Sequence, residues 1–159
     1  MLALPAPTLR PMTLKEKLNQ DLYQAMRQRD NLRRDTIRLV LSAVTNAEIE
    51  KHGELADAEV IAVISKEVRL RQESITEFEK GNRPDLVARE SAERSVLLEY
   101  LPQQMSREEI VAQAKKVIAE LGAQGPKDKG KVMPHLVAEL RGRADGREIN
   151  AVVTELLAS

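Results

Sequence analysis

Apolar residues along this chain recur at spacings of three and four, and no stretch of useful length alternates apolar with polar, so the pattern predicts helices throughout. Thr13-Leu-Lys-Glu16 has the spacing of a capping box and opens a first helix to about Arg29, with Leu14, Leu18, Leu22, Ala25 and Met26 on one face. Asp30 or Asn31 caps a second, to about Lys51, whose stripe is Ile37, Val40, Leu41, Val44, Ala47 and Ile49. His52-Gly53 ends it. A third and longest helix starts near Asp57, carries Val60, Ile61, Ile64, Val68, Ile75 and Phe78, and stops at Gly81, a residue suited to a left-handed helix end.

Pro84 suits the first turn of a fourth helix, because its missing amide would have had no partner there. Leu101-Pro102 closes that helix after about Tyr100. Ser106-Arg-Glu-Glu109 is a second capping box, opening a helix that runs to Gly122. Two short helices complete the chain. One holds Val132, Met133, Leu136, Val137 and Leu140, and the other is capped by Asp145 and holds Ile149, Val152, Val153, Leu156 and Leu157. Pro134 would kink the former if it began early, so a start near Gly130 is expected. The expectation is an all-α protein: a flexible extension over residues 1–12, a bundle of about four helices over 13–102, and a small three-helix tail domain over 103–159.

Composition narrows the chemistry. Tyr23, Phe78 and Tyr100 are the only aromatics, so the core is aliphatic and base stacking is a poor candidate mode of recognition. Cysteine is absent, which removes disulfides and thiolate metal sites and fits a reducing cytoplasm. Residues 1–11 lack the basic start and continuous apolar run of a signal peptide or membrane span. The 25 basic and 25 acidic side chains cancel, so only local patches carry an electrostatic argument.

Most candidate sites dissolve on inspection. Only two histidines occur, His52 and His135, and although His135 and Glu139 could share a helix face, one pair does not make a metal site. Neither Ser42 nor Ser106 sits in a pattern that suggests an activated nucleophile, and the glycines of 122–130 lack the strand and the Gly-Lys-Ser/Thr ending of a phosphate loop. The expectation is no catalytic residue, no metal and no cofactor. Arg27 to Arg34 reads as a solvated turn, and Glu48, Glu50 and Glu54 as surface carboxylates. What stands out is a C-terminal basic cluster: Lys127, Lys129, Lys131, Arg141, Arg143 and Arg147 face only Asp128, Glu139 and Asp145 and flank two predicted helix starts. Phosphate contact and a pair of solvated turns are both open readings of it.

Those residues also carry a resemblance. Lys129-Gly-Lys-Val-Met133, Arg141-Gly-Arg-Ala-Asp-Gly146 and Ile149-Asn150 resemble the C-terminal signature of YqeY-like proteins and of the tail of the B subunit of glutamine-dependent aspartyl/glutamyl-tRNA amidotransferase. Arg38 to Ile49, Glu67 to Ser74, Gly81-Asn-Arg83 and Glu99 to Gln104 extend the likeness from Met12 to the end, with Pro134 as a departure. The resemblance implies a helical domain with a tail module that helps hold tRNA while other domains do the chemistry. It also brings the family label of carbon-nitrogen ligase activity with glutamine as amido-N-donor, but no catalytic site of its own. By this likeness Lys129, Lys131, Arg141, Arg143 and Asn150 are candidate RNA contacts, joined by Lys127 and Arg147 from the cluster. Gly130, Val132, Met133, Gly142 and Ala144 are expected to serve helix packing. The implied partner is tRNA or an RNA-containing assembly, with no membrane. A protein-protein adaptor without RNA contact is the alternative.

Overall fold

The computed structural model describes Ala3 and residues 10–158, so most of the extension expected over residues 1–12 lies outside the described residues. Seven α-helices and one 3-10 turn make up the regular structure, and no strand occurs among the described residues. They are α1 (Leu14–Arg27), α2 (Asn31–Lys51), α3 (Asp57–Lys80), α4 (Pro84–Leu98), α5 (Arg107–Leu121), the 3-10 turn (Pro126–Asp128), α6 (Lys129–Glu139) and α7 (Gly146–Ala158). The chain is all-α. Contacts divide it into two compact units, one ending at Val60 and the other beginning at Ile61.

In the first unit α1 and α2 pack through Leu18, Ala25, Ile37, Val40 and Val44, all buried. The hydroxyl of buried Thr36 donates to the Leu32 carbonyl at 2.8 Å, so its polarity is satisfied within the helix. Two apolar residues expected on these faces are exposed: Met26 at 45% and Ile49 at 65%. A repeat of four slips backwards around a 3.6-residue helix, so Ala25 rather than Met26 continues the face of Leu18. On α2 a step of three or four from Val44 leads next to Ala47 and Glu48, not to Ile49. Glu48 is accordingly no free surface carboxylate, which corrects the expectation for that residue. It accepts from Lys15 Nζ at 2.7 Å and from the Leu55 amide at 3.1 Å, tying α1 and the α2–α3 loop to α2. The lysine hydrogen bond, then the amide, hold its carboxyl below the usual range.

Helix ends repeat one device. Arg29, His52, Asn82 and Gly122 adopt left-handed φ angles of 57°, 60°, 54° and 66°. In each case the next amide reaches back across the end of the helix: Asp30 to Ala25, Gly53 to Glu48, Arg83 to Phe78 and Ala123 to Ile118, at 2.9, 3.2, 2.9 and 3.0 Å. The left-handed residue of α3 is therefore Asn82 and not the expected Gly81. Asparagine is among the few residues with a side chain that visit that conformation, because its short amide bonds locally. At the starts, Thr13 accepts from the Glu16 amide at 3.1 Å, and Ser106 with Glu109 forms the complete reciprocal box.

The second unit holds a buried aliphatic core on α5, α6 and α7, built from Ile110, Ala114, Val117, Val132, Leu136, Leu140, Ile149, Val152, Val153 and Leu157. Pro134 lies a full turn inside α6, deeper than the first-turn edge expected for it, and leaves the Gly130 carbonyl without its i+4 amide donor. Upstream, Arg71 of α3 is only 7% exposed and makes ion pairs to Glu67 at 2.8 Å and to Glu93 of α4 at 3.3 Å. Glu90 lies near enough to feel Glu93. Burial first, and that like charge second, push its carboxyl upward.

Candidate nucleic-acid interface

The expected basic cluster is one run in the sequence but two groups in space. Lys127, Lys129 and Lys131 stand at the start of α6, while Arg141, Arg143 and Arg147 lie beyond its end. At 1.5 Å per residue, α6 keeps the groups about 16 Å apart along its axis.

At the first group, Asp128 is the organising residue. Its carboxylate accepts from the Gln124 amide at 2.9 Å and pairs with Lys131 at 3.6 Å. The amide bond, more than the lysine, holds its carboxyl below the usual range. Lys127 is exposed and Lys129 half-buried, whereas the Lys131 side chain is 72% exposed despite its ion pair.

At the second group, the turn after α6 is bound to the connector that precedes α5. The Arg143 amide donates to the Leu140 carbonyl at 2.9 Å and closes a tight turn with Gly142 at φ 79°. The Met105 amide donates to the Arg143 carbonyl at 2.9 Å, and Arg143 Nε donates to the Gln103 carbonyl at 3.4 Å. Gln104 Nε2 bridges the carbonyls of Pro102 and Gly142 at 2.9 and 2.8 Å. Arg147 pairs with Glu73 of α3 at 2.7 Å, and its amide is capped by Asp145. Of the three arginines, Arg141 has its charge least committed to neighbours, and Asn150 is exposed on α7.

The residues expected to serve packing differ among themselves. Val132 is fully buried, and Met133 and Ala144 rest against the α5–α7 core. Gly142 is pressed: a Cβ there would lie 2.7 Å from Ile61 Cγ2. The close packing expected of Gly130 has no counterpart, since a Cβ there would meet nothing within 4 Å.

Between α3 and the α6–α7 turn lies a cleft of about 400 Å³. Its α3 wall carries Ser65, Lys66, Arg69 and Gln72, and its opposite wall carries Arg141, Asp145 and Glu148, with Val68, Leu101, Val137 and Ile149 as apolar lining. Sequence reasoning missed the α3 wall. Its signal was present as Ser65 and Arg69 one helical turn apart, followed by Gln72, which puts polar groups on one face of an otherwise apolar-striped helix. Among the described residues, no group of three or more His, Cys, Asp or Glu is arranged to hold a metal, and no helix is long and apolar enough to cross a membrane.

An all-helical chain with an aliphatic core, a basic segment split across one short helix and a mixed-charge cleft belongs to the class of small all-α proteins. More particularly, the chain belongs to the YqeY-like protein family, whose model matches residues 15–157. Among curated proteins it is similar to "Altered inheritance of mitochondria protein 41, mitochondrial" of Kluyveromyces lactis, 41% identical over 113 residues, which cover 69% of this chain and 60% of that protein. The protein of the same name from Lachancea thermotolerans is 36% identical over 143 residues, covering 86% of this chain and 76% of the relative. That from Saccharomyces cerevisiae strain YJM789 is 38% identical over 87 residues, 54% of this chain and 47% of the relative. The match thus spans less than two thirds of the Kluyveromyces protein. These relatives overturn the expected cytoplasmic location, because each is named as a mitochondrial protein. Absence of cysteine is shared by many compartments and was too weak a ground for it.

Proposed function

We propose that this chain is an RNA-binding module of the YqeY family, with tRNA as its partner and an association with tRNA amidation, acting by shape and positive charge with no catalytic residue of its own. The observation that carries the reading is the pair of exposed cationic groups at the two ends of α6, on the segment that bears the family signature. A span of about 16 Å corresponds to several nucleotides at about 3.4 Å per step, which suits a polyanion better than an isolated phosphate. Lys127, Lys129, Lys131 and Arg141 are the phosphate contacts. Asn150 is a polar neighbour, and Arg143 and Arg147 shape the turn as well as charging it. In this reading α5 to α7 are the tail module and the preceding helices its support.

The test is a gel shift with bulk tRNA across a salt series. Charge reversal of Lys131 and Arg141 together is expected to abolish the shift while the far-UV circular dichroism stays unchanged. Each single Lys→Ala or Arg→Ala change at a true contact should lower the slope of log affinity against log salt by about one. Absence of any salt-dependent tRNA affinity in the unaltered protein sinks the proposal. Co-purification of one stoichiometric protein that survives nuclease treatment would instead favour the adaptor reading. Amide transfer from glutamine to charged tRNA by this chain alone would overturn the non-catalytic assignment.

A further inference from the structure

The α3 wall of the cleft holds two polar groups whose desolvation is uncompensated. Ser65 Oγ and Arg69 Nε are both shielded from solvent, and neither has a hydrogen-bond partner among the described residues. Arg69 Nε lies 4.0 Å from a carboxylate oxygen of Glu73. A buried donor left unsatisfied costs about 1–3 kcal/mol, so two on one helical face of a cleft mark a place where a ligand supplies acceptors. Lys66 and Arg141 add positive charge to the same space. An anionic group is therefore the natural partner of this wall.

A simple anion accounts for only part of the lining. Asp145 and Glu148 also face the cleft, and the Asp145 Oδ1 atom already accepts from the Arg147 amide at 2.9 Å. Carboxylates beside a phosphate-sized anion would repel it, but they match the hydroxyls of a sugar, which donate. Gln104 has its amide nitrogen committed to two carbonyls, and its side-chain oxygen is left to accept. Gln72 has the complementary arrangement: its oxygen accepts from Arg94 Nη1, and its nitrogen is left to donate. One donor and one acceptor amide, with the aliphatic side chains of Val68, Leu101, Val137 and Ile149, can meet the edge and face of a planar heterocycle. The volume falls within the range of small-molecule sites, about 300–1,000 Å³.

We infer that this cleft binds a single ribonucleotide unit: phosphate toward Ser65, Lys66, Arg69 and Arg141, ribose hydroxyls toward Glu148 and Asp145, and the base among the aliphatic side chains between Gln72 and Gln104. The chemistry is common to a free ribonucleoside 5′-monophosphate and to one nucleotide of an RNA strand. The inference does not rest on the tRNA reading. At the phosphate end Ser65, Lys66 and Arg69 lie outside the basic segment on which that reading stands, and only Arg141 is shared with it.

The experiment titrates the full chain, followed by amide chemical shifts and calorimetry, with each of the four ribonucleoside 5′-monophosphates, the deoxy counterpart of the best of them, inorganic phosphate, and a short single-stranded oligoribonucleotide. Saturable shifts at residues 65–72 and 141–149 with a monophosphate, weaker with its deoxy form, support the inference and identify a free nucleotide as the source. The same shifts with the oligoribonucleotide alone support it with the strand as source. Ser65→Ala and Arg69→Gln should each weaken that binding about tenfold. Ser65→Ala should leave the unliganded melting temperature unchanged or raised, because it deletes an unsatisfied hydroxyl; a purely structural serine would show the reverse. No shift in the cleft with any of these probes overturns the inference, as does inorganic phosphate binding as tightly as the nucleotides. Nucleotide binding by an unaltered chain that shows no salt-dependent tRNA affinity would sink the tRNA reading and leave this one standing.

Discussion

The amide of Met105 donates to the carbonyl of Arg143 at 2.9 Å, so the connector before α5 and the turn after α6 are stitched together through backbone. The Arg143 side chain adds only a long 3.4 Å bond to the Gln103 carbonyl. Arg143→Ala therefore removes one weak hydrogen bond and keeps the stitch, and the expected loss is at most about 1 kcal/mol in chemical denaturation. Its effect on tRNA affinity should be smaller than that of Arg141→Ala at the same salt. Equal losses would mean that Arg143 leaves the connector to contact phosphate.

Gly142 meets two demands at once, a left-handed φ of 79° and a space that Ile61 closes to any Cβ at 2.7 Å. Gly142→Ala should cost about 1–3 kcal/mol, read from the shift of the denaturation midpoint. Adding Ile61→Ala removes the clash but not the backbone cost, so the double variant should be less destabilised than the sum of the two singles. Strict additivity would show that the contact is relieved some other way.

Arg71 is buried between Glu67 and Glu93, with Glu90 close by. Truncating it leaves carboxylates in a desolvated site without their counter-charge. Arg71→Ala should destabilise the protein by about 3 kcal/mol or more, while Arg89→Ala, at a largely exposed partner of Glu93, should cost under about 1 kcal/mol. The comparison by urea denaturation tests whether burial or mere pairing sets the cost.

Glu48 has a folded carboxyl pKa below its unfolded value, owing to Lys15 and the Leu55 amide. Its contribution to stability is therefore fully present above the ordinary carboxylate range and is lost as pH falls through the depressed value. Melting temperatures measured from pH 7 down to pH 3 should fall less steeply for Glu48→Gln than for the unaltered chain. Parallel curves would show that the ion pair contributes nothing in solution.

Pro134 interrupts α6 a full turn from its start, where it withholds a donor from the Gly130 carbonyl. Pro134→Ala is expected to stabilise by about 1–3 kcal/mol, seen as a raised melting temperature. A destabilised variant would mean that the ring packs to an advantage that offsets the lost bond.

The helices were legible because capping residues, prolines and apolar spacing are local signals. Thr13, Asp30 and Ser106 act as caps, and Pro84 sits in a first turn. What could not be read locally depends on which face a neighbour covers. Ile49 and Met26 fit a stripe on paper yet fall outside the buried arc once the true helical repeat is applied. Asn82 took the left-handed position expected of Gly81. The basic segment was conspicuous as a run of letters, but its division into two ends of α6 follows only from helical rise. The α3 wall of the cleft stayed hidden because Ser65, Arg69 and Gln72 are unremarkable residues until Arg141 and Glu148 are brought opposite them.

The contact of Gly142 with Ile61 and Pro102 bears on how this protein can be cut and recombined. A fusion that borrows only residues 103–159 would inherit the aliphatic core of α5 to α7 yet discard Ile61, Pro102 and the whole α3 wall. Such a fragment is expected to be a folded but ligand-blind piece. The smallest segment that carries core and cleft together begins at Ile61, within α3, at a place where no loop advertises a seam.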